Sequence, residues 1–82
     1  MTTRYFILEK HSHYNFKENK DMDVYYNIIK SFKTKKEAID WIVKLYGKSE
    51  SYYRKHTDEF VYKVMNMDEV VKIAKLGNIA NL

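Results

Sequence analysis

Residues 34–47 constrain the chain more than any other segment. Thr34 is followed three residues later by Glu37. A Thr hydroxyl can accept from the backbone N–H at the third helical position, and a Glu there can reach back to the first donor, so the pair opens a helix. Ala38, Trp41, Ile42 and Leu45 then recur at one-face helical spacing. Gly47 closes the pattern as a left-handed residue just past the helix end. The spacing predicts a helix over 35–46 whose apolar face needs a cover. Asn66-Met-Asp-Glu69 repeats the capping logic. Met67, Val70, Val71, Ile73 and Ala74 form a second apolar stripe, with Gly77 at its end. The tail beyond, Asn78–Leu82, can either fray or dock through Ile79 and Leu82.

The remaining apolar segments read as strands. Residues 4–10 are dense in β-formers, with Phe6 and Leu8 alternating against Tyr5, Ile7 and Glu9. Residues 23–32 give a second strand and residues 59–65 a third. Residues 11–22 are polar and charged and read as a long hairpin connection. Residues 48–58 read as a polar loop. The order is β-β-α-β-α. The expected fold is α+β: one domain over residues 1–82, with a three-stranded, mainly antiparallel sheet. Two helices are expected on one face, centred on Trp41, with the other face open. If strands two and three are parallel neighbours, the crossover between them is right-handed.

Size and composition narrow the function classes. A chain of 82 residues buries only about 60–65% of its unfolded surface, enough for one modest core and too little for a deep substrate cavity. There is no Cys, so neither a disulfide nor a cysteine zinc site can contribute, and a reducing compartment fits. The opening MTTRYFILEK meets charge at Arg4 and Glu9, unlike a signal peptide. No apolar run approaches the roughly 20 residues of a membrane span. A cytoplasmic location and no membrane partner are expected. The formal net charge of +4, from 15 basic and 11 acidic residues, permits nucleic-acid binding without demanding it.

Catalysis is not expected. No Cys and no Gly-flanked Ser offers a nucleophile. The carboxylate pairs Asp21/Asp23, Asp58/Glu59 and Asp68/Glu69 fall at turns and helix starts, where solvated or capping carboxylates are ordinary. Two isolated glycines cannot build a phosphate loop, and no cofactor motif is present. His11 and His13 share one face of an extended segment and could meet a metal with His56. Exposed loop histidines are the plainer reading, so no metal is expected.

The surface is more suggestive. Eight Tyr, four Phe and one Trp exceed what so small a core absorbs. Tyr14, Phe16, Tyr52 and Tyr53 fall in the expected loops, and Tyr5 and Tyr25 on the expected outer sheet face. Tyr52-Tyr-Arg-Lys-His56 interleaves rings with cations, a pattern suited to bases and phosphates and to protein hot spots. Lys30, Lys33, Lys35 and Lys36 cluster around the start of the first long helix, where cations oppose the helix dipole. Such a placement suits an anion contact.

The phrase Ser31-Phe-Lys-Thr-Lys-Lys-Glu-Ala-Ile-Asp-Trp41 resembles the strand-to-helix junction of arm-type DNA-binding domains in phage and transposon tyrosine recombinases. It is also similar to the junction in viroplasmin-type hybrid-binding domains. In both families a small sheet module contacts nucleic acid. Phe32, Thr34, Glu37 and Ala38 match, and their roles are structural. In its general type, short, Tyr- and Lys-rich, without Cys or Pro, the chain looks like small phage and mobile-element proteins. Many of those inhibit host machinery, including CRISPR and restriction nucleases.

The expected function is therefore non-catalytic binding and inhibition of a host protein, nucleoprotein or nuclease, of the anti-CRISPR or anti-defence type. The expected contacts are Tyr14, Tyr52, Tyr53, Arg54, Lys55 and His56, with Lys33, Lys35 and Lys36 holding anions. The alternative is a module that binds DNA or RNA directly through basic loops and an open sheet face carrying Tyr5, Tyr25 and nearby lysines. An exposed aromatic face or unpaired strand edge would also suit a homodimer.

Overall fold

The computed structural model describes residues 4–80, without the side chain of Asp21. Two long strands, β1 (Tyr5–Asn15) and β2 (Lys20–Phe32), form an antiparallel hairpin. Two helices follow, α1 (Lys35–Tyr46) and α2 (Glu50–Lys55), then a 3-10 turn at Thr57–Glu59. A short strand β3 (Tyr62–Asn66) and a helix α3 (Met67–Lys75) complete the order. β3 pairs antiparallel with β1, so the sheet order is β2-β1-β3 and β1 is central. β2 and β3 are not neighbours, and the chain between them crosses over β1. The α+β class and the antiparallel three-stranded sheet are those the sequence predicts.

The faces are covered differently from the expectation. Ile7 and Leu8 are adjacent on β1 and point to opposite faces, yet both are fully buried at 0% exposure. Ile7 joins Ala38, Ile39, Ile42 and Val43 of α1, Tyr53 of α2 and Phe60 in one cluster. Leu8 joins Val70 of α3 and Ile79 of the tail in the other. Thus α1 and α2 share one face, while α3 lies on the other, and the two long helices do not lie side by side. The cause lies in Tyr5-Phe6-Ile7-Leu8, an unbroken apolar run of the kind found where a strand is buried on both sides.

The hairpin is longer than the polar stretch suggested. β1 runs on to Asn15 and β2 begins at Lys20, so most of residues 11–22 is strand. Asn15 closes the turn by accepting from the N–H groups of Lys17 (2.9 Å) and Glu18 (3.2 Å), an Asx turn. Asn19 takes the left-handed conformation at φ 55°, which Asn tolerates better than most residues. β3 pairs only with Tyr5–Glu9 of β1. Beyond Lys10 the hairpin is two-stranded, and Ser12, His13 and Tyr14 are exposed. With no core on either side, that segment has no apolar alternation to show. The register slips twice, between Ile7 and Leu8 and between His11 and His13. Both extra residues lie on β2, which is why it has 13 residues against 11 in β1. Asp23, at φ 54°, sits in the second slip.

α1 matches its expected bounds. Thr34 accepts from the Glu37 N–H at 3.2 Å. The Glu37 carboxylate takes the Thr34 hydroxyl at 3.0 Å and not the backbone donor. The reciprocal capping box forms instead at Asn66/Glu69, at the start of α3. Gly47 ends α1 at φ 67°. The tail docks: Ile79 is buried, and Asn78 and Ala80 bond to the backbone of Tyr26 on the β2 edge. Leu82 lies outside the described residues. Among the described residues, no helix is long and apolar enough to cross a membrane.

Ile7→Ala and Leu8→Ala should each lower the unfolding free energy by about 2–5 kcal/mol, read by guanidinium denaturation. That is a large share of the ~4–12 kcal/mol expected for a domain this size. A sheet covered on one face only would tolerate one of the two changes almost freely.

Candidate binding surface

α2 forms inside the segment expected to be a loop. Ser49 caps it, accepting from the Tyr52 N–H at 3.1 Å. It is six residues long and buries only Tyr53, so no periodicity announces it. Its last turn presents Arg54 and Lys55, cations placed well for the helix dipole. Arg54 Nη2 lies 3.4 Å from Glu50 Oε1, one turn back. Lys33, Lys35 and Lys36 are all exposed around the start of α1, and Lys36 Nζ is 3.9 Å from Asp40.

Two of these basic groups meet. Lys35 of α1 and Arg54 of α2 line one depression of about 230 Å³, together with Ile39, Tyr53, Thr57 and Val64. They are far apart in sequence and converge because α1 and α2 pack on the same sheet face. Lys63 Nζ donates to the Thr57 carbonyl at 2.5 Å, which ties the turn after α2 to β3. The Lys63 ammonium sits below its usual pKa, first because burial disfavours its charge and then because Lys10 repels it, with Asp58 opposing both.

The tyrosines separate into different roles. Tyr53 is buried at 5% exposure, edge-on to Phe60 at 4.9 Å. It belongs to the core and is not the surface contact the sequence suggested, because α2 turns it inward. Burial pushes its phenol pKa up, against a hydrogen bond with the Val64 backbone. Tyr5 is likewise packed on the core beneath α1 and α2, so it lies on no open sheet face. Tyr52 is half-buried, but its ring is held by its own chain. Lys48 Nζ lies 4.9 Å from the ring centre, and the His56 ring is tilted against it at 4.4 Å. The Tyr52 hydroxyl donates to Glu59 at 2.5 Å. That bond holds the proton and raises the phenol pKa. His56 ends α2, its N–H directed at the carbonyls of Tyr52 and Tyr53.

Tyr14 lies elsewhere. It is seven residues along β1 from Ile7, roughly 23 Å at ~3.3 Å per residue. At the hairpin tip its ring meets Phe16 edge-on at 4.9 Å, and its hydroxyl donates to Asn19. Phe16 is 87% exposed. Tyr25 also stands apart from α2, stacked on His11 at 5.0 Å with rings 9° from parallel.

One cluster was missed from the sequence. Glu9 pairs across the sheet with Asn27 and Tyr62, and its carboxylate lies 2.5 Å from His11 Nε2. Tyr62 is held above its usual pKa by desolvation first, then by the charge and hydrogen bond of Glu9. Its ring meets Trp41 edge-on at 5.5 Å, and Lys30 Nζ sits 5.8 Å from the Trp41 ring centre. The available signal was a carboxylate on the same strand face as Tyr5 and Ile7. His11 is thus engaged with Glu9, and His56 stands at the end of α2. Among the described residues, no group of three or more His, Asp or Glu side chains is placed to hold a metal.

Comparison with known proteins finds nothing similar: no family model fits the chain, and no curated protein or solved structure matches it.

Glu59→Gln should bring the Tyr52 pKa down toward the usual phenol range while leaving Tyr62, whose shift has other causes, unmoved. An alkaline NMR titration of the tyrosine ring carbons reads both. An unmoved Tyr52 would mean that the bond to Glu59 is not kept in solution.

Proposed function

We propose that the chain is a small, non-catalytic binding protein that engages a host nucleoprotein or nuclease and inhibits it by occupying its surface. A phage or mobile-element origin and action in the host cytoplasm follow from that reading. The observation that carries it is the convergence of Lys35 and Arg54 on one depression. Two basic segments, residues 33–36 and 54–55, are thereby joined across one side of the molecule. Arg is enriched at protein hot spots. Flanking lysines steer association with a negatively charged partner such as a nucleoprotein. The hairpin tip adds a separate aromatic contact at Phe16 and Tyr14.

Direct nucleic-acid binding through an open sheet face draws less support. α3 and the tail cover one face, and Tyr5 lies under α1 and α2 on the other. Tyr25 keeps 40% exposure, but its ring is stacked on His11.

The test is a cleavage assay with purified CRISPR effector complexes and restriction nucleases, titrated with the chain. The proposal predicts inhibition of at least one, complete near one molar equivalent. Lys35→Glu and Arg54→Glu should each weaken it at least tenfold without unfolding the protein, since both side chains are exposed. A contrary result is no inhibition of any enzyme, with labelled DNA or RNA bound instead and released steeply as salt rises. Such salt dependence is the mark of phosphate contacts.

A further inference from the structure

The depression between α1, α2 and β3 has the makings of a ligand pocket. Its base is apolar: Ile39 is 1% exposed and Tyr53 5%, and Val64 packs against the same core. Its rim carries two cations, Lys35 and Arg54, and no carboxylate residue lines it. Lys35 has no carboxylate within ion-pair distance among the described residues, whereas Arg54 contacts Glu50 through one nitrogen at 3.4 Å. A guanidinium offers five N–H donors in a planar fork, so most of them stay available. One of the two rim charges is offset by Glu50, which leaves about one net positive charge for an incoming group.

Size narrows the ligand. A cavity of ~150 Å³ holds a benzene-sized molecule, and drug-sized ligands occupy ~300–1,000 Å³. At about 230 Å³ the space suits one aliphatic or aryl group with one small charged head. A stacked base is a poor match, because Tyr53 lies edge-on to Phe60 and is buried, leaving no open ring face. Inorganic anions would leave the apolar base in water. A carboxylate matches the planar Arg fork and the single net charge.

We propose that this depression binds an apolar organic carboxylate, its carboxylate held between Lys35 and Arg54 and its body on Ile39, Tyr53 and Val64. A free organic acid and the C-terminal residue of a polypeptide ending in a large apolar side chain present the same chemistry. The pocket shares Lys35 and Arg54 with the surface proposed above, but its test uses ligands too small to engage that surface.

The full chain, labelled with nitrogen-15, is titrated with 3-phenylpropionate, with N-acetyl-Ala-Leu as the free acid and as its C-terminal amide, and with acetate and inorganic phosphate. The proposal predicts saturable shifts centred on Lys35, Ile39, Tyr53, Arg54, Thr57 and Val64 with 3-phenylpropionate. Acetate and phosphate should bind at least tenfold more weakly. Lys35→Gln and Arg54→Gln should each weaken 3-phenylpropionate at least tenfold, and both variants keep the core intact. Binding of the dipeptide acid but not its amide names a chain terminus as a source. Binding of 3-phenylpropionate alone names free acids. The proposal is overturned if no ligand shifts these residues, or if acetate and phosphate match 3-phenylpropionate and move lysines all over the surface. Nuclease inhibition is scored separately with Lys33→Glu and Lys55→Glu, which lie outside the pocket lining, so failure of either reading is distinguishable from failure of the other.

Discussion

Everything in this molecule hangs on the first five residues of β1. Tyr5 to Glu9 pair with β2 on one side and β3 on the other. The same segment buries Ile7 against α1 and α2, and Leu8 against α3 and the tail. Each of those two side chains contributes ~1.5–3 kcal/mol of transfer free energy when fully buried, and each anchors a different layer. This five-residue segment thus holds two strands and two packed layers in place at once. The arrangement solves the size problem of a chain of 82 residues, which gains two small cores in place of one larger one.

That central strand also decides which surfaces are left over. Both sheet faces are covered where β3 pairs, so the accessible features lie at the periphery. One is the depression where α1 and α2 meet β3, with Lys35 and Arg54 at its rim. Another is the two-stranded end of the hairpin, where Phe16 stands 87% exposed. The third is the Glu9, His11 and Tyr25 group, just past the helical cover. The first combines an apolar base with a cationic rim, which is why the functional proposals rest there.

Much of the fold was legible because its signals are local. The Thr34 cap, the α1 stripe and Gly47 gave the bounds of α1, and Asn66 and Glu69 gave the start of α3. What stayed hidden depended on tertiary context. Residues 11–15 and 20–22 are polar because the hairpin outruns its helices, so they carry no strand pattern. α2 has one buried side chain, too few for a period. Tyr53 was placed on the surface for want of that helix, and Tyr5 for want of the cover on both faces. The unbroken apolar run from Tyr5 to Leu8 did carry that information, but Phe6 and Leu8 set against Tyr5, Ile7 and Glu9 also suit an ordinary two-faced strand, which masked it. Lys35 and Arg54 were each legible as basic surface residues, while their meeting depends on how α1 and α2 pack.

Native-state hydrogen exchange tests the central role of β1 most directly. The account predicts that the hydrogen-bonded amides of residues 5–9 exchange slowest, opening only with global unfolding, while those of residues 12–15 and 20–23 open locally and far faster. Equal protection along the whole hairpin, or faster exchange at residues 5–9 than in α1, would contradict it.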